Sequence, residues 1–351
     1  MKGVILLNVG SPKSPDVSDV RSYLHEFLMD PCVLNKPFIL RWILVNLLIL
    51  PTRPKQSAKA YAKIWDETEG FPLISLTRTL VEKLKNQLKV PITFGMRYAE
   101  PSINDGIQEL LSLTNGQLSE LYVIPMFPQY ALSSSFTAVE AVKRVVKDMK
   151  LSIQLTVKEP FYEDPNYIQA LFASIKPYWE DNQLDHILFS FHGLPESHLR
   201  QTDPTKVTCL SKPSCCEFDS PAIATCYRAQ AFKIVNQVVK PLGLPSESYS
   251  TSFQSRLGRE PWLTPFTDET VEDLAKKGVK RLGVACPSFL TDCLETIEEI
   301  GLEAKEAFLE AGGESFVLIP CLNDQDRWVS VMSTWIRDYF TADHYEQLKI
   351  Q

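Results

Sequence analysis

Short apolar runs alternate with helix-period segments along this chain from residue 4 to residue 340, and this alternation limits the fold more than any other feature. Runs at 4–9, 91–96, 119–125, 153–157, 185–191, 247–253, 281–286 and 315–320 have the length and composition of buried strands. Between them lie helix-period segments at 17–29, 73–89, 102–113, 135–149, 165–180, 222–239, 268–277, 292–311 and 324–340. The segment 135–149 shows the period in Phe136, Val139, Val142, Val145 and Val146. Such βαβ alternation implies parallel sheets covered by helices on both faces. With four strands in each half, an α/β chain of two similar domains is expected. The first spans 1–158 plus 325–351, the second 159–324, with the boundary at the Glu159-Pro160 turn and the last helix packing back on the first domain.

The 351 residues, 44% hydrophobic, suffice for two cores. A net charge of −7 argues against a nucleic-acid partner. Gly10 lacks the partners of a dinucleotide fingerprint and no phosphate loop is present, so no nucleotide cofactor is expected. The apolar run 4–9 is too short for a signal peptide and fits a first strand, which points to the cytoplasm. Eight cysteines in that reducing compartment argue against a disulfide framework.

Two segments carry the chemistry. In Ile187-Leu-Phe-Ser-Phe-His192-Gly-Leu-Pro195, the histidine falls where the strand runs out and Gly193 and Pro195 force a turn. The loops at strand C-termini form the ligand crevice of an open α/β sheet. An imidazole there can hold a metal or accept a proton near neutral pH. The plain alternative is a strand-end histidine bonded only to backbone. In the second segment, after the strand 281–286, Asp292, Glu295 and Glu299 are spaced three and four apart, so on an α-helix their carboxylates share one face. Such a row is either solvated or shares protons or cations. Leu294, Ile297 and Ile300 would face the core, and Glu298 would be ordinary surface.

Two further features stand apart. Cys209, Cys215, Cys216 and Cys226 are spaced C-x5-C-C-x9-C in a polar stretch within 203–226. Four thiolates match an iron–sulfur cluster. Zinc takes four as well, but its usual spacing of about two to four residues between ligands is missing; free thiols are the weakest account. Cys32, Cys286 and Cys321 read as buried hydrophobes. The apolar stretch 38–50, broken by Arg41 and Asn46, is shorter than the roughly twenty residues that span a bilayer. Composition suits a core helix, whereas Trp42 with flanking Lys36 and Arg53 suits a helix lying in a membrane interface, and a peripheral contact is favoured.

Taken together, the segments resemble ferrochelatase, the enzyme that inserts ferrous iron into a porphyrin at the end of haem synthesis. Asn8-Val9-Gly10-Ser-Pro12, Phe94-Gly-Met-Arg97-Tyr98, Pro125-Met-Phe-Pro-Gln129-Tyr130, Phe191-His192-Gly-Leu-Pro195, Pro261-Trp262-Leu-Thr-Pro265 and Thr291-Asp292-Cys293-Leu-Glu295-Thr296 follow in the family's order over about residues 3–340. The resemblance implies two Rossmann-like, chelatase-type domains, each with a four-stranded parallel sheet flanked by helices. It implies His192 as the essential histidine and Glu295 as the glutamate facing it, the two serving in catalysis and metal binding. Asp292 and Glu299 would form a proton or metal path. Arg97 and Tyr98 would line the pocket, and Val9, Trp262 and Phe289 would contact the macrocycle. Arg53 and Tyr61 would lie on a hydrophobic lip near 33–53 that often rests against a membrane. Ferrous iron would be substrate, and the cysteine segment resembles the internal segment that binds a [2Fe-2S] cluster in some microbial members. Some relatives have histidine where this chain has Cys293, so no role rests on a second histidine here.

The rival readings are a chelatase for another tetrapyrrole, such as coproporphyrin, or another metal, such as cobalt, and a non-catalytic haem- or cluster-binding sensor. The Pro261-Trp262 and Asp292-to-Glu295 segments favour iron chelation over cobalt insertion into a corrin precursor, while the sequence does not separate protoporphyrin from coproporphyrin. The presence of both His192 and Glu295 speaks against the second, since a sensor needs neither base.

Overall fold

The computed structural model describes residues 1–258 and 260–342. Residues 343–351, assigned to the first domain from the sequence, lie outside them. Eight strands form at the expected places: β1 Lys2–Asn8, β2 Ile92–Met96, β3 Glu120–Pro125, β4 Gln154–Val157, β5 His186–His192, β6 Tyr249–Gln254, β7 Arg281–Ala285 and β8 Ser315–Ile319. They build two four-stranded sheets with the same internal order, β2-β1-β3-β4 and β6-β5-β7-β8, and every pairing is parallel. A parallel sheet needs a crossover after each strand, and the intervening helices supply it.

Among the described residues, the chain divides into two compact units, one of 1–126, 132–159 and 324–342, the other of 127–131 and 160–323. The short segment 127–131 thus groups with the second unit rather than with the strand that precedes it. In the first unit, Val4, Ile5, Leu6 and Leu7 of β1 are wholly buried because β1 is an inner strand with helices on both faces. Each such side chain contributes about 1.5–3 kcal/mol on burial. The last helix, Asp326–Thr341, packs on the helix Pro72–Leu88 of the same unit. In the second unit β5 is one of two inner strands, with Ile187, Leu188, Phe189 and Phe191 wholly buried.

Local signals fix several helix ends. Ser102 and Asp105 form a reciprocal capping box on Ile103–Leu113, and Asp164 caps Pro165–Asp181. Helices Phe38–Ile43, Arg53–Lys63 and Glu196–Thr202 were not evident from periodicity. Three expected helices differ in form. The one expected at 135–149 begins as a π-helical segment, Leu132–Phe136, and is α-helical only over Thr137–Asp148. The one expected at 222–239 runs over Tyr227–Leu242, preceded by a short 3-10 segment at Pro221–Thr225. The one expected at 292–311 is π-helical over Glu295–Ala304, with i→i+5 bonding, and only then α-helical over Lys305–Glu310. π-Helical turns are rare and often occur at functional sites.

Candidate active site

His192 is the last residue of β5. The chain turns there because Gly193 can lie against β6: its N–H donates to the Gln254 carbonyl at 2.6 Å, and a Cβ at Gly193 would come within 2.8 Å of the same oxygen. The turn is tied to the tryptophan segment by bonds from Leu263 N–H to Leu194 O and from Glu196 N–H to Pro261 O. The His192 N–H donates to Ser288 Oγ, and Phe289 packs edge-on to the imidazole at 6.2 Å between ring centres. His192 Nδ1 lies 2.6 Å from the Gly193 carbonyl oxygen. A carbonyl can only accept, so Nδ1 is the donor here, and in the neutral ring the lone pair lies on Nε2. His192 is therefore poised to accept a proton or ligate a cation through Nε2.

Glu295 opens the π-helix and Glu299 stands one turn further on. The Glu299 carboxylate accepts the Ser255 N–H at 2.8 Å, the Ser255 hydroxyl, and more distantly the Gln254 amide at 3.4 Å. Gln254 also donates to the Glu295 carbonyl at 2.7 Å and is held from behind by Ser190 Oγ. Burial pushes the Glu299 carboxyl above the ordinary carboxylate range. The Ser255 bond and the His192 imidazole oppose that rise, and the Glu295 carboxylate adds to it. A histidine and two glutamates of one unit thus share one electrostatic neighbourhood.

The acidic row does not continue as a regular helix would carry it. Asp292 lies ahead of the π-helix, buried, and its oxygens accept from Thr296 Oγ1, Cys321 N–H and Asn323 Nδ2. Its carboxylate is engaged in bracing the loop. Glu298, expected on the surface, is buried, because the wider π turn departs from the 3.6-residue period. Ile300 joins the core as expected. The Cys293 thiol is buried and pushed well up, first by burial and then by the Glu295 charge, so it stays protonated near neutral pH.

In the first unit, β1 and β2 end side by side. Arg97 N–H donates to Asn8 O and Tyr98 N–H to Val9 O. Gly10 follows with φ +107°, and a Cβ there would sit 2.0 Å from the Tyr98 carbonyl oxygen. Val9 and Arg97 are part-exposed at this edge, whereas Tyr98 is completely buried and its hydroxyl donates to Asp30 at 2.9 Å. As a pocket lining, Tyr98 is thus corrected: its ring is an anchor. Arg97 is also held by Asp30, in a salt bridge. Tyr61 needs the same correction. It is buried edge-on against Phe71 and Tyr23 and so does not stand on the lip, while Arg53 is exposed. Phe38, Ile39, Leu40, Trp42, Ile43, Leu47 and Leu48 all expose 40% or more of their surface. The core-helix alternative for this stretch does not hold. Among the described residues, no helix is long and apolar enough to cross a membrane.

The four clustered cysteines are free of disulfides, with Cys209, Cys215 and Cys226 buried. Asp203 shapes the loop by accepting the N–H groups of Thr205, Thr208 and Cys209, each at 2.8 Å. Cys215 and Cys216 sulfurs lie 3.8 Å apart. Cys226 precedes a helix N-terminus, and hydrogen bonding from Cys216, against the effect of burial, brings its thiol down to about 6. Cys209 also bonds to Cys226. The sulfurs therefore converge, although among the described residues no three His, Cys, Asp or Glu side chains are gathered as a ready site for one ion.

Gln254, Ser255, Ser288, Asp30 and Thr137 were not singled out by the sequence. Gln254 and Ser255 follow the strand at 247–253, so the strand-end rule that found His192 would have reached them. Asp30 offers no local signal, being 67 residues from Arg97.

The ferrochelatase family model matches residues 1–339. A ferrochelatase of Pseudomonas fluorescens (strain Pf0-1) is 46% identical over 333 residues, covering 94% of this chain and 96% of the relative. One of Ectopseudomonas mendocina (strain ymp) is 47% identical over 331 residues, covering 94% and 95%. Among solved structures, SirB from Bacillus subtilis with Fe3+ is similar in fold, with a TM-score of 0.51 at 13% identity over 96% of this chain and 94% of that one. Sequence similarity over nearly the whole length makes this chain a member of the ferrochelatase family, the lyases that insert ferrous iron into protoporphyrin to make haem.

Proposed function

We propose that His192 and Glu295 perform the insertion, with Glu299 passing protons away from them. Metallation replaces two pyrrole protons by one divalent cation, so two bases must receive them. His192 Nε2, its lone pair fixed by the Nδ1–H bond to Gly193, takes one. Glu295 takes the other and exchanges it with Glu299, whose raised affinity for a proton suits a relay. The ferrous ion, as substrate, meets Nε2 and the Glu295 carboxylate before the ring nitrogens displace them. Asp292 stands behind this relay and braces the loop that carries it. Val9, Trp262 and Phe289 are the proposed macrocycle contacts, and Arg53 is a cation for the porphyrin carboxylates.

The observation that carries this reading is the contact of His192 Nδ1 with the Gly193 carbonyl, which leaves Nε2 as the ring nitrogen for other work. A strand-end histidine serving only the backbone would not be expected to act electrostatically on a buried glutamate as His192 does on Glu299. His192→Ala is expected to abolish iron insertion, followed as loss of porphyrin fluorescence, while circular dichroism stays unchanged. Turnover at the parent rate would overturn the assignment.

The four thiols of Cys209, Cys215, Cys216 and Cys226 on one loop are a donor set of the kind a [2Fe-2S] cluster takes, and we propose that they close around one when it binds, since as folded no three of them are gathered as a site among the described residues. Such a cluster supplies one-electron redox chemistry and a cross-link across the loop. Visible absorption of anaerobically purified protein that bleaches with dithionite is expected; a colourless protein containing zinc would refute the cluster. The exposed apolar surface of 38–48 is proposed to rest on a membrane interface of a cytoplasmic protein.

A further inference from the structure

Asp30 is nearly completely buried, yet it carries a charge and receives an unusual number of donors. Oδ2 accepts from Arg97 Nη2, from the Tyr98 hydroxyl at 2.9 Å and from the Thr137 hydroxyl at 2.6 Å. Oδ1 accepts the Cys32 N–H at 2.7 Å. Thr137 Oγ1 in turn receives Arg97 Nε at 2.8 Å, so carboxylate and hydroxyl together grip the guanidinium on two of its nitrogens. The Arg97 guanidinium also lies over the Tyr98 ring, 4.4 Å from its centre. Its side chain keeps 13% of its surface exposed, against 4% for that of Asp30. The next residue, Ala99, is held at φ +60°, a left-handed conformation that costs a residue with a Cβ. Its N–H is secured by the Glu26 carboxylate at 3.0 Å. Two acids from one stretch, Glu26 and Asp30, therefore clamp three consecutive residues at the end of β2.

A buried carboxylate with an unengaged oxygen would be costly, but here both oxygens are used. Burial alone would raise the Asp30 pKa; the bonds from Thr137, the Cys32 N–H and Arg97 outweigh it and hold the group ionised. For stability alone, apolar residues would fill this space as well as an ion pair does. The arrangement is better explained by what it fixes, the position of a cation at the edge of the sheet.

We propose that Asp30 is a positioning residue for iron insertion, acting through Arg97, which it and Thr137 hold in one rotamer at the β1–β2 edge. Arg97 is thereby a pre-set cation for a porphyrin carboxylate rather than a mobile one, and Thr137 is its second anchor. The proposal rests on the reading that Arg97 faces the porphyrin.

The test compares Asp30→Asn, Thr137→Val, Arg97→Leu and the double variant Asp30→Asn with Arg97→Leu in steady-state assays with porphyrin and ferrous iron. Arg97→Leu is expected to raise the porphyrin KM at least about tenfold, the loss of one charge-assisted contact. Asp30→Asn should do much of the same, Thr137→Val less, and the double variant no more than Arg97→Leu alone, since both changes remove one unit. A purely structural Asp30 would lower Tm and leave KM where it was, and its effect would multiply with that of Arg97→Leu. Either result overturns the positioning role. Should Asp30→Asn fail to fold, Thr137→Val decides: parent KM rejects the proposal, raised KM with parent Tm supports it. If Arg97→Leu itself has parent kinetics, the reading of Arg97 as a porphyrin contact fails instead.

Discussion

Ser255 offers both its backbone N–H and its hydroxyl to the carboxylate of Glu299. It does so from a left-handed backbone, φ +59°, that a serine adopts only at some cost. The cost is local to the site, because Ser255 immediately follows β6 and faces the π-helix that carries Glu295 and Glu299. One strained residue thus sets the surroundings of the second glutamate.

The pH dependence of activity should report that glutamate. Burial raises the Glu299 pKa, so the group gains its charge only above the ordinary carboxylate range. If its carboxylate form is needed, kcat rises with pH through this raised value, and Glu299→Gln should lose that acid limb while lowering kcat roughly 10²-fold, the usual scale for a proton-transfer group. A kcat profile measured from pH 5 to 8 that keeps its acid limb in the variant would refute the role.

Ser255→Ala removes the hydroxyl and keeps the backbone. Since the Ser255 bond lowers the Glu299 pKa, its loss should move the acid limb to higher pH. Ser255→Gly should shift the limb in the same direction yet raise Tm relative to Ser255→Ala, because glycine adopts positive φ freely. Identical Tm values for the two variants would mean that the left-handed backbone carries no strain.

Gly10→Ala is expected to disrupt the first unit. The new Cβ would meet the Tyr98 carbonyl oxygen at 2.0 Å, and the obstacle is backbone, so relief requires β1 and β2 to part. A loss of at least about 3 kcal/mol is expected, overpacking and left-handed strain adding together. Urea denaturation of the variant measures it; a midpoint within error of the parent would contradict the close approach of the two strand ends.

Vesicle binding tests the apolar surface at 38–48. Ile39 and Leu48 are 71% and 64% exposed. Replacing both by serine should weaken binding to phospholipid vesicles at least about 100-fold, from transfer energies near 1.5 kcal/mol or more per side chain. Activity on porphyrin dispersed in detergent should be nearly unaffected. Equal sedimentation of parent and variant with vesicles would remove the membrane role from this surface.

Much of the molecule was legible in the sequence because four of its strands, β1, β3, β5 and β7, are inner strands of parallel sheets, and burial on both faces writes them as apolar runs. His192 could be found for a related reason: position at a strand C-terminus is a sequence property once the strand is known. Two helices were not expected, and a third, Phe38–Ile43, was expected from composition rather than from periodicity. In Phe38–Ile43 the apolar residues face outward, so no core-facing stripe marks it, while Arg53–Lys63 and Glu196–Thr202 are short and polar. The roles of Tyr61 and Tyr98 were misplaced because an aromatic residue reads alike whether it faces a pocket or an aromatic cluster.

The sequence by itself determined the order of strands and helices, the two-sheet architecture and the identity of the strand-end histidine, since each follows from periodicity and from chemistry carried within a few residues. Tertiary structure alone decided which carboxylates are free and which are engaged. Asp292 is tied to Asn323 and Asp30 to Arg97, bonds between residues 31 and 67 positions apart, and the π-helix moved Glu298 inward. Charge, burial and proton affinity depend on what lies across space from a side chain, and no local pattern along the chain records that.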